Sequence, residues 1–146
     1  MFVIRSEHLE AFQPVADDIF ASEVVNYLRE NHGDAEVALP NGTCEVADIP
    51  DDVLQEMVLT GIGRARKYGM TWESSLASYV VLMFEAAPNF DSHPLVQRVL
   101  RDENIEPDER MEQLLEQTTE QNWEAVRENY DGNAWLDEEE EAQEAA

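Results

Sequence analysis

Few residues in this chain have the types and spacing that chemistry requires. The three histidines, His8, His32 and His93, stand in separate segments, and none is followed by the Glu and second His of a helical zinc site. They read as surface or capping residues. Asp91, Ser92 and His93 hold the residue types of a hydrolase triad, but neighbours on a turn point apart, and triads are assembled from distant segments. With Pro94 they read as a helix start. Cys44, the single cysteine, lies between Thr43 and Glu45, with no neighbouring cation to lower its pKa and no second cysteine to pair with. Carboxylates are so abundant that some pair must fall at a glycosidase-like separation by chance. Asp131-Gly132-Asn133 lacks the alternating acidic ligands of a calcium loop. Gly61-Ile62-Gly63 falls inside a helical pattern rather than after a strand, so it is no phosphate loop. No catalytic, cofactor-binding or metal-ligating residue is nominated, and the chain is expected to be neither an enzyme nor a cofactor protein.

The charge is the unusual quantity. Thirty-three Asp and Glu against nine Lys and Arg give a formal −24, and Lys67 is the sole lysine. Such a surface repels phosphate backbones and anionic lipid, which argues against nucleic acid or a membrane as partner and for a basic protein surface. Acid excess with scarce lysine also fits a salt-adapted proteome, in which part of the charge is background. Hydrophobic residues make up 43% of the chain, enough to form a core, and 146 residues suit one domain. The absence of a basic stretch leading into an apolar run near Met1 argues against a secretory signal, and the lone cysteine fits a reducing compartment. The expected location is cytoplasmic.

The elements that must position any site are helical. Leu9, Phe12, Ala16, Ile19, Phe20, Val24, Tyr27 and Leu28 recur at three- and four-residue spacing, with Pro14 predicting a kink or two abutting helices. From Ala35 to Ala47 the helical period is lost. Val37 and Leu39 answer Cys44 and Val46 across Pro40-Asn41-Gly42, as in a small hairpin, but an isolated hairpin is marginal in water and a loop is preferred. Pro50 opens a second helix that carries Arg64, Arg66 and Lys67 in its last turn, where cations oppose the negative dipole end, and Gly69 stops it. Gly61 and Gly63 within it predict close approach of a neighbouring backbone. Thr71 is expected to cap a third helix, apolar nearly all round from Trp72 to Ala87 and so central to the packing. A short helix follows Pro94, and Pro107 starts the last one, with Met111, Leu114, Leu115, Thr118, Trp123, Val126 and Tyr130 along it. That stripe is thin, suited to the edge of the fold or to completion by a partner.

The fold expected is therefore all-α: a single helical bundle of about five helices over residues 1–133, with an acidic flexible tail over 134–146. Six of the acidic residues lie in the last ten positions. Trp123, Tyr130, Trp135 and Leu136 are the candidate partner-binding residues, because aromatics in acidic surroundings suit a basic, partly apolar surface.

The run Gly61-Ile62-Gly63-Arg64-Ala65-Arg66-Lys67-Tyr68-Gly69-Met70-Thr71, with Leu82-Met83-Phe84, Ala87-Pro88-Asn89-Phe90-Asp91 and the opening Phe2-Val3-Ile4-Arg5-Ser6-Glu7 and Leu9-Glu10-Ala11-Phe12, resembles a family of small acidic helical bacterial proteins encoded among type VI secretion spike and effector genes. The resemblance covers most of the chain up to about Tyr130, with Ala35 to Ala47 departing from the pattern. Its motifs are structural, so it carries no active site across. It implies an adaptor or chaperone for a secreted effector or spike protein, or else an immunity protein that inhibits a cognate toxin. Homo-oligomerisation is left open.

Overall fold

The computed structural model describes residues 6–40 and 42–135, the first eleven of them by backbone alone. Among these the chain forms six α-helices and one two-stranded sheet: α1 Ser6–His32, β1 Glu36–Leu39, β2 Gly42–Glu45, α2 Asp51–Lys67, α3 Glu73–Glu85, α4 Pro94–Leu100, α5 Arg110–Gln117 and α6 Glu120–Glu128, with 3-10 turns between several of them. The fold is all-α, as its periodicity requires. Among the described residues no helix is long and apolar enough to cross a membrane.

α1 runs as one helix through Pro14. Its buried side chains are Ala21, Val24, Val25 and Leu28, while Ile19 (59% exposed) and Tyr27 (49%) face outward. The buried stripe is thus rotated from the one the spacing suggested, because two apolar residues flank it without joining it. At its C-terminal end Arg29 binds the carbonyls of Val46, Ala47 and Ile49 and the Asp51 carboxylate. One guanidinium so fixes the passage from the hairpin to α2.

The segment after α1 is a hairpin rather than the preferred loop. Val37 pairs with Cys44 and Ala38 with Thr43, and Gly42 turns the chain at φ 141°, a conformation that glycine adopts without strain. An isolated hairpin would be marginal, but this one is not isolated. Val37 is fully buried, the Ala38 N–H donates to the Tyr130 hydroxyl, and Gly132 packs so closely that a Cβ there would lie 2.7 Å from the Ala38 carbonyl oxygen. Its support comes from the far end of the chain.

α2 and α3 form the centre. α2 buries Leu54, Met57, Val58, Ile62 and Ala65, and α3 buries Leu76, Tyr79, Val80, Met83 and Phe84. Gly61 lets them close. A Cβ at that position would lie 2.8 Å from Met83 Sδ and 2.9 Å from Val80 Cγ2, so side chains rather than backbone make the approach, and Gly63 meets nothing within 4 Å. Gly69 ends the segment at φ 93°.

Two expected details differ at the helix ends. Thr71 does not cap α3. Its own N–H and that of Trp72 both donate to Asp108 Oδ1 at 2.7 Å, so the cap is supplied by a carboxylate from just before α5, and Trp72 itself is 57% exposed. The last helix is also broken in two. Thr119 and Asn122 form a reciprocal capping box at the start of α6, with Thr118 extended at ψ 151°.

Candidate functional site

The last turn of α2 supplies Arg64 and Lys67, and Tyr68 follows at its C-terminal cap. The connection from α3 to α4 brings Asn89, Asp91 and Ser92; α4 and its end bring Gln97, Leu100 and Arg101; α5 opens on Arg110. Together with Glu103 and Ala134 these residues line a cleft of about 700 Å³. Four of the nine cations of a chain charged −24 line it, and among the described residues the carboxylates of Asp91 and Glu103 line it with them.

The cleft is held by its own cations. Arg64, 5% exposed, donates to the Pro88 carbonyl at 3.1 Å and to the Ala134 carbonyl. Arg110, 9% exposed, donates from Nε to Ile105 and from Nη1 to Tyr68 and Leu100, all carbonyls. Carbonyls near helix ends lack intrahelical donors, and a guanidinium satisfies several at once. The Nη2 of Arg110 has no partner among the described residues, and neither does the side chain of Arg101.

A neutral chain of donors lies beside the cations. The Tyr68 hydroxyl donates to Asp91 Oδ2 at 2.6 Å and accepts from Gln97 Nε2 at 3.1 Å, while Gln97 also reaches the Asp91 carbonyl. Burial, then the hydrogen bond and charge of Asp91, push the Tyr68 hydroxyl far above its ordinary pKa, so it stays a donor. Behind it Tyr79 is fully buried and its hydroxyl has no hydrogen-bond partner among the described residues. Burial first, then the charge of Asp91, raise its pKa well above the ordinary value, although Asp91 does not reach hydrogen-bonding geometry.

Asp91, Ser92 and His93 do separate work, as expected of a helix start. Asp91 takes the Tyr68 proton bond, Ser92 donates to the Asn89 carbonyl, and His93 Nδ1 accepts the Leu95 N–H as the cap of α4. Cys44 sits half-buried on β2. No group of three or more metal-ligating side chains gathers among the described residues.

Of the residues proposed for partner contact, Tyr130 and Trp135 are brought together, facing inward. Trp135 is 5% exposed, stacks against Phe84 at 4.8 Å between ring centroids, and donates from Nε1 to the Tyr130 hydroxyl. Tyr130, half-buried, thereby accepts from both Trp135 and Ala38. Trp123 leans on Phe90 at 6.5 Å. Tyr130 and Trp135 close the C-terminal segment onto the hairpin and α3, which removes Trp135 from the surface. The packed chain runs through Trp135, two residues past the boundary expected at 133; Leu136 and the rest of the tail lie outside the described residues.

Exposed acids stand along the last two helices as they do along the rest of the described chain. Glu112 and Glu116 on α5 and Glu120, Glu124 and Glu128 on α6 are all exposed, at four-residue intervals, with Leu115 beside them 52% exposed. Arg127 pairs with Glu120 at 3.3 Å. The sequence signals the cleft only in the cations ending α2, since Arg101 and Arg110 join them only through the fold.

Comparison with known proteins finds no match to a family model, to a curated protein or to a solved structure.

Proposed function

We propose that this chain is a non-catalytic accessory protein that works by binding another protein whose contact surface is basic. The observation that carries the reading is the distribution of charge: acids outnumber cations 33 to 9, four of the cations are drawn into one cleft, and the exposed faces of α5 and α6 carry glutamates around the exposed Leu115. An anionic surface steers a cationic partner and suppresses wrong ones, while an exposed apolar side chain among the acids of α5 supplies an anchor.

The resemblance to proteins encoded among type VI secretion genes directs this reading toward an adaptor or chaperone for an effector or spike protein. Under the same reading an immunity protein would present the same acids to a toxin, so the two roles separate by outcome rather than by surface. The test uses the tagged full chain as bait for the effector and spike proteins encoded beside it, at ~0.15 M and ~1 M salt, a range that screens exposed charge contacts. Specific capture at the lower salt that weakens at the higher supports the reading. A captured toxin that keeps its activity in the complex marks an adaptor, and one that loses it marks an inhibitor. Capture of none of them at either salt overturns the proposal.

A further inference from the structure

We infer that the cleft between α2, α4 and α5 seats the chain's own acidic C-terminal segment, the carboxylates that follow Leu136 meeting Lys67 and Arg101. Three observations carry this: where the chain leaves the fold, what lines the cleft at that point, and which residues come next.

The exit is fixed at the cleft. Trp135, 5% exposed, stacks on Phe84 and donates to the Tyr130 hydroxyl, while a Cβ on Gly132 would lie 2.7 Å from the Ala38 carbonyl oxygen. The chain is thus pinned on both sides of Ala134, which itself lines the cleft and whose carbonyl accepts from Arg64. The sequence then reads Leu136, Asp137, Glu138, Glu139, Glu140, Glu141. Five consecutive acids therefore begin three residues after a residue of the lining. Three residues span at most about 11 Å, so the first of these acids start within reach of the cleft.

The lining suits carboxylates. Arg110 donates only to carbonyls among the described residues, and Arg101, exposed at the end of α4, makes no side-chain hydrogen bond or ion pair among them. Outside the cleft, by contrast, Arg29, Arg66 and Arg127 pair with Asp51, Asp17 and Glu120. For an acidic segment leaving a molecule of net −24, the cleft is the nearby surface that offers several cations, whereas most of the rest repels it. Exposed ion pairs are individually weak, but the tether holds these acids at an effective concentration on the order of millimolar. A free anion has no such advantage and must also approach against the net charge of the chain. The acids of the segment are then engaged within the molecule, and this inference stands apart from the partner face proposed on α5 and α6.

The test is the Tm of the full chain at ~0.15 M salt, where exposed charges more than about 8 Å apart are largely screened. One variant neutralises the segment by Asp137→Asn with Glu138→Gln, Glu139→Gln, Glu140→Gln and Glu141→Gln. It is expected to melt about 2–4 °C below wild type, the loss of a few exposed ion pairs, although it carries five fewer negative charges. A segment that stays in solvent gives the opposite sign, because removing negative charge from a chain of −24 relieves repulsion, so an unchanged or raised Tm overturns the inference. Arg101→Ala supplies the location: it lowers Tm in the wild-type background and by no more than about half as much in the neutral-segment background. Lys67→Ala follows the same pattern and takes its place if circular dichroism shows Arg101→Ala to be unfolded. Arg98→Ala, an exposed arginine outside the lining, is expected to act equally in both backgrounds. Losses that add fully for both cleft variants put the segment elsewhere and overturn the inference as well.

Discussion

Replacing Tyr130 with Phe removes one oxygen and tests how the C-terminal segment is held. That oxygen accepts from the Ala38 N–H and from Trp135 Nε1, each at 3.0 Å, so Tyr130→Phe leaves two donors without an acceptor while keeping the ring. A buried donor left unpaired costs about 1–3 kcal/mol. Trp135 is 5% exposed and lies in that range, whereas Ala38 is half-buried and water can reach it in part. The expected loss is about 2–3 kcal/mol, a sizeable share of the ~5–15 kcal/mol that holds a domain together. At roughly 2–4 °C per kcal/mol for a domain near this size, Tm falls by about 5–10 °C. Urea denaturation followed by circular dichroism measures it, with Tyr27→Phe as the comparison, since Tyr27 is 49% exposed and its hydroxyl makes no hydrogen bond among the described residues. Tyr27→Phe is expected to change stability by less than about 0.5 kcal/mol, as surface substitutions do. If Tyr130→Phe behaves the same way, the hydroxyl does not join hairpin, α6 and C-terminal turn, and the reasoning fails.

Gly61→Ala and Gly63→Ala should differ in sign although they stand two residues apart: the first meets Met83 and Val80 inside 3 Å and loses about 1–3 kcal/mol, while the second meets nothing and gains about 0.5–1 kcal/mol from helix propensity, both read from denaturation midpoints. Asp108 is desolvated, which raises its pKa, but hydrogen bonds from Trp72 and Thr71 more than offset this and leave the carboxyl below its ordinary value. A depressed native pKa stabilises the fold above the unfolded pKa of about 3.9 and ceases to do so as pH falls through the native value. Asp108→Ala should therefore cost about 1 kcal/mol at pH 7, as a lost helix cap does, and the gap from wild type should close below about pH 4 in a pH series of denaturation curves. Raising NaCl from ~0.02 to ~0.5 M should raise Tm, because screening relieves self-repulsion in a chain of charge −24; a flat or falling Tm would mean that the acids are already compensated locally.

How far the sequence could be read depended on where each element's support lies. Signals carried within one segment were legible: Pro50 before α2, Gly69 after it, the His93 start of α4, and the apolar run of α3. The break between α5 and α6 was locally encoded too, in Thr119 and Asn122 at capping-box spacing, but the apolar residues continuing at helical intervals masked it. The hairpin was undervalued for a different reason. Local residues make it marginal, and what stabilises it arrives from Tyr130 and Gly132, some ninety positions away. Trp72 and Trp135 show the same limit, since periodicity and composition placed the first inside and the second outside, and tertiary packing does the reverse. The cleft was half visible. Arg64 and Lys67 stood out at a helix end, where the dipole accounted for them, and only the return of α4 and α5 past that end brings Arg101 and Arg110 into the same space.

The central claim, that the acidic face of α5 and α6 docks a basic protein around Leu115, is tested most directly by the affinity of the captured partner for surface variants of the full chain. Leu115→Lys places a like charge against a basic partner without disturbing the core, and Glu112→Gln with Glu116→Gln removes two of the attracting charges beside it. Each should raise Kd at least about tenfold at ~0.15 M salt, whereas Arg101→Ala on the cleft should leave it unchanged. An affinity that survives both of these surface changes, or one that only the cleft variant weakens, would contradict the account.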